Sequence, residues 1–369
     1  MLRKLGVTLV ALVVGWTVGL THGAMAQPIQ FGAILPLTGP GGLIGTQQMR
    51  GIQFAIDQIN AAGGVRGHKI EVLFEDGQAK PDQSVLSFNK LADLQHVPVI
   101  FTAFSGPSLA MAPLATRKKV LLVNAGAQAD KLATASPYLI NTLPTIGDEI
   151  KVLSKYLIAD GKKKAAILFE NDAAGISGRD DYVEYFVKAG GTIAAQEPSQ
   201  FGQTDFRPAL LKLADSKPDV MLVSITAAPL QMAQQYQQLG LKFLLAGTTF
   251  LQDPLLVADP SSNGIVHTQI RIDAPPQLAA AFKQKFGVDM EFFVRQYYNA
   301  TQVLATTLDK VLSEGKPVTG ETMHDTLFQI GKFTGLIPLE FKTNTATVSI
   351  DINEMRDGKD VTIKQLSAD

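Results

Sequence analysis

The feature that most constrains this chain is an alternation. Apolar runs of five to eight residues are followed, again and again, by segments whose apolar residues recur at helical spacing. Phe31–Leu35, Ile70–Phe74, Val97–Phe104 and Val120–Asn124 read as buried strands. Between them, Gly45–Ala62, Ser84–Leu94 and Pro107–Arg117 read as helices. The rhythm restarts after Pro144. Helices at Asp148–Ala159, Arg179–Ala189, Phe206–Ala214 and Leu230–Leu239 then alternate with strands at Ala165–Glu170, Thr192–Gln196, Val220–Ile225 and Phe243–Ala246. Near-continuous apolar strands separated by helices are buried on both faces, which predicts parallel, doubly wound α/β sheets. Two such runs predict two lobes. The remainder reads as a strand at Ile265–Gln269, helices at Gln277–Phe286, Val294–Leu312 and Glu321–Gln329, and a hairpin-like ending from Leu339.

The first residues are set aside from the fold. Arg3 and Lys4 precede an apolar run, Leu5–Leu20, and Ala24-Met25-Ala26 offers a small–x–small cleavage site. This is the pattern of a secretory signal peptide over residues 1–26. The run is shorter than the ~20 residues a spanning helix needs. A mature chain starting at Gln27 has 369 less 26, or 343, residues, enough for two domains. Removing Arg3 and Lys4 takes the formal net charge from −1 to −3. So mild a balance excludes a nucleic-acid partner of the usual basic kind. The absence of cysteine excludes disulfides, thiolate metal sites, a Cys nucleophile and a lipid-modified Cys at the cleavage site. The expected localisation is the periplasm, without membrane insertion of the mature chain.

Catalytic motifs are missing. The chain contains no H-E-x-x-H, G-x-S-x-G, Walker A or strand-following G-x-G-x-x-G. His68, His96, His267 and His324 are not paired at metal-ligand spacing, and Asp180, Asp181 and Glu184 read as a solvated helix start. No enzyme activity, metal or cofactor is expected. Small polar residues instead gather where doubly wound sheets hold ligands, beyond the carboxyl ends of strands. Three such loops are Thr38–Gly42, Ser105–Ser108 and Asn124–Gln128. The second opens a helix, whose free N–H groups suit a carboxylate. Simple capping by Ser105 or Ser108 is the alternative.

Several stretches, in this order and spacing, carry a resemblance. They include "LPLTGPGGLIG", "GIQFAIDQINAAGGVRGHKIEVLFEDGQAKP", "FSGPSLAMAPLA", "VLLVNAGAQADKL", "FENDAAG", "FGQTDFRPALLKL", "LLAGTTF" and "YYNATQVL". The mature chain resembles the periplasmic solute-binding proteins of branched-chain amino acid (leucine/isoleucine/valine) ABC transporters. That resemblance implies a type I periplasmic binding protein fold, with two lobes joined by three crossings closing on a small-molecule ligand. The lobes are expected at 27–143 plus 253–333 and at 144–252 plus 334–369. Crossings are expected near Leu143–Ile146, Gly247–Gln252 and Thr334–Ile337. The implied partner is an inner-membrane ABC permease, and a monomer is expected.

The resemblance maps the carboxylate-holding serine onto Ser105 and a second polar contact onto Ser108. It puts a backbone contact at Ala127 and a hydrogen-bonding side chain at Gln128. The first-loop contact falls at Ile44, and an aromatic contact at Tyr298, with Tyr297 as its neighbouring alternative. This chain departs from the family's pattern at three positions. Thr249 stands where the amino-acid binders have a Glu for the ligand ammonium. Ala174 and Ala228 stand where they have aromatic rings. A neutral hydroxyl does not offset the burial of an ammonium, although Asp253 lies four residues on. The expected solute is therefore a carboxylate, aromatic or otherwise organic, rather than a leucine-type amino acid. The alternatives are a branched-chain amino acid, an amide or urea, or a sensory role for the same fold.

Overall fold

The computed structural model describes residues 26–365; the expected signal peptide lies outside them except for Ala26. The first sheet is built from β1 (Ala26–Leu35), β2 (His68–Asp76), β3 (Val99–Thr102), β4 (Leu121–Asn124) and β5 (Leu139–Asn141). All its pairings are parallel, in the order β2-β1-β3-β4-β5. Alternation along each strand feeds two cores, as the two-residue side-chain period requires. Phe31, Ala33, Val99, Phe101, Leu121 and Val123 join one core, while Ile34, Ile100 and Leu122 join the other.

Helices cover both faces. α1 (Gly42–Ala61) packs with the first of these cores through Ile52 and Ile56. α2 (Pro81–Asn89), which continues as a π turn over Lys90–Leu94, and α3 (Ser105–Lys118) cover the other face through Phe88, Leu91, Met111 and Ala115. β5 escapes the sequence pattern because three residues are too few to show a period.

The chain then enters α4 (Ile146–Ala159), whose Ile146, Ile150 and Leu153 belong to the core of a second sheet. Around it run β6 (Lys164–Glu170), α5 (Ala173–Lys188), β7 (Thr192–Ser199), α6 (Arg207–Asp215), β8 (Val220–Ser224), α7 (Pro229–Gln238), β9 (Leu244–Gly247), α8 (Pro254–Ala258) and β10 (Val266–Ile270). Next come α9 (Pro276–Phe286), α10 (Phe292–Ser313), α11 (Gly320–Ile330), the short antiparallel pair β11 (Lys332–Phe333) and β12 (Leu339–Glu340), and the terminal hairpin β13 (Ile350–Arg356) and β14 (Lys359–Lys364). The second sheet has the order β14-β13-β10-β9-β8-β6-β7, and only the β10–β13 and β13–β14 pairings are antiparallel.

Three expectations need correction. The stretch 253–333 does not all accompany the first sheet, because β10 pairs with β9 and β13 in the second. Gly247–Gln252 is thus internal to the second lobe. The chain returns after β10, when α10 packs along α1 and Phe282 of α9 meets Phe54. Nor does it leave again at Thr334–Ile337: Leu339, Phe341 and Ala346 still belong to the first core, and departure comes just before β13. An apolar run announces a strand but not the sheet it joins. Finally, α5 starts at Ala173 rather than Arg179, because the Asp172 carboxylate accepts the Gly175 N–H at 2.8 Å and caps it. Asp180, Asp181 and Glu184 therefore lie inside the helix, and Asp181 is buried.

Candidate functional site

The carboxyl ends of β1, β3 and β4 face those of β6, β8 and β9 across a cleft with an empty volume of about 330 Å³. Its first wall starts in the loop after β1. Asp76, at the end of β2, accepts hydrogen bonds from Leu37 N at 2.9 Å and Thr38 Oγ1 at 2.5 Å, which pins that loop. Burial works to raise the Asp76 carboxyl, but the bonds from Thr38, Gln78 and Leu37 outweigh it and hold the group below its ordinary value. α1 then starts so close to Pro36 that a Cβ at Gly45 would stand 2.0 Å from the Pro36 carbonyl oxygen. Ile44 and Gln48, four residues apart on one face of α1, line the cleft.

Phe104 and Ser105 continue this wall. Phe104 has φ 62° and ψ 140°, a backbone conformation that costs a non-glycine residue about 1–3 kcal/mol. It turns the chain sharply from β3 into α3 and sets the first N–H groups of that helix beside the cleft. The Ser105 oxygen accepts the Ala129 N–H at 3.2 Å, leaving its own O–H to donate. Gly126 and Ala127 complete the wall. Here Asn124 takes both backbone groups of Ala127, accepting its N–H at 2.8 Å and donating to its carbonyl at 2.7 Å. The donor expected from Ala127 is thus already committed, and that residue contributes apolar surface.

Asp172, Ala174, Thr226 and Phe250 form the opposite wall, and Phe293 from α10 adds a third ring to Phe104 and Phe250. Thr226 is fixed by buried Glu170, which accepts from its N–H at 2.9 Å, its hydroxyl at 2.6 Å, and the Ala227 N–H at 3.0 Å. Burial pushes the Glu170 carboxyl up to about 7, against the pull of those bonds. Asp172 is also raised by burial, opposed by the N–H groups of Gly175 and Ala174.

Of the residues expected at the site, Ile44, Ser105, Ala127 and Ala174 therefore line the cleft; five others do not. Ser108 is fully buried behind Ser105 and shares a hydrogen bond with Thr102 Oγ1 at 2.9 Å. Gln128 and Thr249 both turn to Glu149. Gln128 Nε2 donates to that carboxylate at 2.6 Å, Thr249 N and Oγ1 donate at 2.9 and 2.7 Å, and Thr268 adds its hydroxyl. Ala228 caps α7 with φ 56° and packs on the second core. Tyr298 stacks near Phe54, with its hydroxyl on Gln58 at 2.7 Å. Tyr297, the alternative, donates to the Thr102 carbonyl at 2.6 Å from behind Gly126. Gln48, Phe104, Gly126, Asp172, Thr226, Phe250 and Phe293 were not foreseen. The strand-end rule, extended to the second lobe, is the signal that could have found Asp172 and Thr226, each two residues past the end of β6 or β8.

The walls touch at the cleft's edge. Phe104 meets Phe201 edge-to-face, with centroids 5.5 Å apart, and Asp130 N donates to Ser177 Oγ at 3.1 Å. Among the described residues no group of three or more His, Asp or Glu side chains is placed to hold a metal ion, and no helix is long and apolar enough to cross a membrane.

Two doubly wound lobes facing across a small, ring-lined cleft define a protein that captures a small solute. The chain belongs to the periplasmic binding protein family, whose pattern matches residues 28–355, and within it to the type I, branched-chain amino acid ABC group. It is 25% identical to the Leu/Ile/Val-binding protein homolog 3 of Brucella melitensis biotype 1, over 93% of this chain and 95% of that one. It is similar in structure, with a TM-score of 0.82 and 25% identity, to a solute binding protein of an ABC transporter from Rhodopseudomonas palustris BisB5 in complex with 3,4-dihydroxy benzoic acid; the match covers 92% of this chain and 98% of that one. The fold is shared with the substrate binding protein LivJ of Streptococcus pneumoniae in complex with isoleucine, with a TM-score of 0.80, 21% identity, and coverage of 91% and 99%. The chain is thus a periplasmic solute-binding component of an ABC transporter, a class that binds small ligands and meets a permease and is not a class of enzymes.

Proposed function

We propose that this cleft captures a small organic acid, with aromatic carboxylates favoured over leucine-type amino acids. The observation that carries the reading is the pairing of the Ser105 hydroxyl, at the start of α3, with three phenyl rings from Phe104, Phe250 and Phe293. A carboxylate gains at that end from the hydroxyl and the free N–H groups of the helix. A flat ring gains from the phenyl edges and faces, each such pair adding about 0.5–1.5 kcal/mol beyond burial.

The acid nearest Thr249 supports the same reading. Glu149 is fully buried and takes four hydrogen bonds from protein donors, so it has no role in meeting a ligand ammonium. The dihydroxybenzoic acid bound by the R. palustris relative is of the favoured class.

One observation favours a second reading, a branched-chain amino acid. Asp172 stands in the wall, and a carboxylate there is a candidate partner for an ammonium. Calorimetry on the mature protein decides between them. Benzoate and the hydroxybenzoates are expected to bind, with leucine, isoleucine and valine at least tenfold weaker. Tight leucine binding without response to any aromatic acid reverses the assignment.

A further inference from the structure

The cleft contains a polar side chain that the protein itself leaves incomplete. Gln48 is 1% exposed and lines the cleft, yet its Oε1 has no hydrogen-bond partner among the described residues. A buried amide oxygen without a donor is costly, and native proteins rarely tolerate one without a reason. The amide is held in place by its surroundings. A Cβ on Gly126 would come within 3.0 Å of Gln48 Nε2 and 3.2 Å of the Tyr297 ring and hydroxyl, so the missing side chain at 126 is what makes room for it. The neighbouring hydroxyl of Tyr297 is not available to it, because that group donates to the Thr102 carbonyl. Because Gln48 lines the cleft, a group that enters the cleft is placed to supply that donor.

We propose that Gln48 is a specificity-determining residue whose amide oxygen accepts a hydrogen bond from a neutral hydroxyl on the solute, so that the preferred ligand is a hydroxy-substituted carboxylic acid. This rests on reading the cleft as an organic-acid site, with the carboxylate at Ser105. A hydroxyl matches the need better than an ammonium, because the amide carries no charge to compensate a buried cation. It also separates substituted from unsubstituted acids sharply. A bare ring leaves the Gln48 oxygen buried and unpaired, whereas a phenol completes it.

The test uses the mature protein with benzoate and 2-, 3- and 4-hydroxybenzoate as probes, titrated by calorimetry. At least one hydroxybenzoate is expected to bind the unaltered protein roughly tenfold or more tightly than benzoate. Gln48→Met keeps the length of the side chain and removes its acceptor. It is expected to abolish that gap, whatever it does to the affinity for benzoate itself. Gln48→Glu keeps an acceptor, so it should preserve the hydroxyl preference while weakening every acid by like-charge repulsion. Thermal melts of both variants show that they remain folded. Equal affinity for benzoate and all three hydroxybenzoates, or a gap that survives in Gln48→Met, overturns the proposal and leaves the organic-acid reading standing. If none of the four acids binds while a leucine-type amino acid does, both fall together.

Discussion

At the scale of single residues, Ser105 is the sharpest commitment of the site. Its hydroxyl combines with the start of α3 in a place closed to bulk water, where a hydrogen bond to a charged acceptor contributes about 1.5–3 kcal/mol. Ser105→Ala is therefore expected to weaken an aromatic acid by that amount while leaving the unfolding midpoint almost unchanged. The measurement is a dissociation constant, and an unaltered one removes the carboxylate from this end of the cleft. Ser105 could be read from sequence because it follows a buried strand and opens a helix, and that local grammar fixes where it points. Its neighbours could not be read so finely. Thr249 and Phe250 are adjacent, but the 3₁₀ turn over Thr249–Leu251 sends the threonine to Glu149 and the ring to the cleft. Tyr298 and Phe293 are five positions apart on α10, roughly 140° around the helix. The face chosen depends on how α10 lies against α1, which its own sequence does not encode.

At the scale of elements, the alternation of apolar runs and amphipathic segments revealed nearly every strand and helix, because a strand covered on both faces has to be apolar throughout. What it did not reveal was which elements are tied together. Gln128 follows β4 in the first lobe, whereas Glu149 lies on α4, Thr249 follows β9 and Thr268 lies on β10. The Glu149 carboxylate joins all four near the first crossing. Such a tie is non-local, and nothing in the spacing of residues 128, 149, 249 and 268 announces it. Glu149→Ala removes every acceptor and strands several buried donors, each costing about 1–3 kcal/mol. A loss of at least about 3 kcal/mol is expected in denaturant unfolding. Glu149→Gln should lose less, because it keeps an oxygen to accept from Thr249 and Thr268 and disturbs only the bond from the Gln128 amide. Equal losses for the two variants show that volume, not hydrogen bonding, is what this position supplies.

At the scale of the whole molecule, the lobes meet through contacts that have to part when the cleft opens. One of these is acidic on both sides. Asp130 lies on the first lobe, in the turn Asp130–Ala133, whose Leu132 packs in that lobe's core. Asp181 lies on α5 of the second. Ser177 reaches both, accepting Asp130 N and donating to Asp181 Oδ2 at 3.4 Å, and Asp130 also accepts the Gly147 N–H at 3.0 Å. The Asp181 carboxyl is held well above its ordinary value by burial first, then by the charge and hydrogen bond of Asp130, with Glu184 adding to it. Asp148 and Tyr185 complete the titratable surroundings. Two carboxyls so placed share a proton more easily than they share two negative charges.

Where opening parts Asp130 from α5, Asp181 loses the share of its shift that Asp130 supplies and moves toward its usual value. The closed form thus binds the extra proton, and its advantage is complete below the open-form value. That advantage declines as pH rises and is gone above the closed-form value. Because a ligand carboxylate stays ionised from about pH 5 to about pH 8, affinity in that window should fall as pH rises. Asp181→Asn should flatten the dependence, whereas Asp172→Asn, altered in the cleft wall itself, should leave a slope. Calorimetry in buffers of differing ionisation enthalpy gives an independent reading, with net proton uptake on binding by the unaltered protein and less by Asp181→Asn. An affinity constant across the window, or a slope untouched by Asp181→Asn, shows that these two acids play no part in closure.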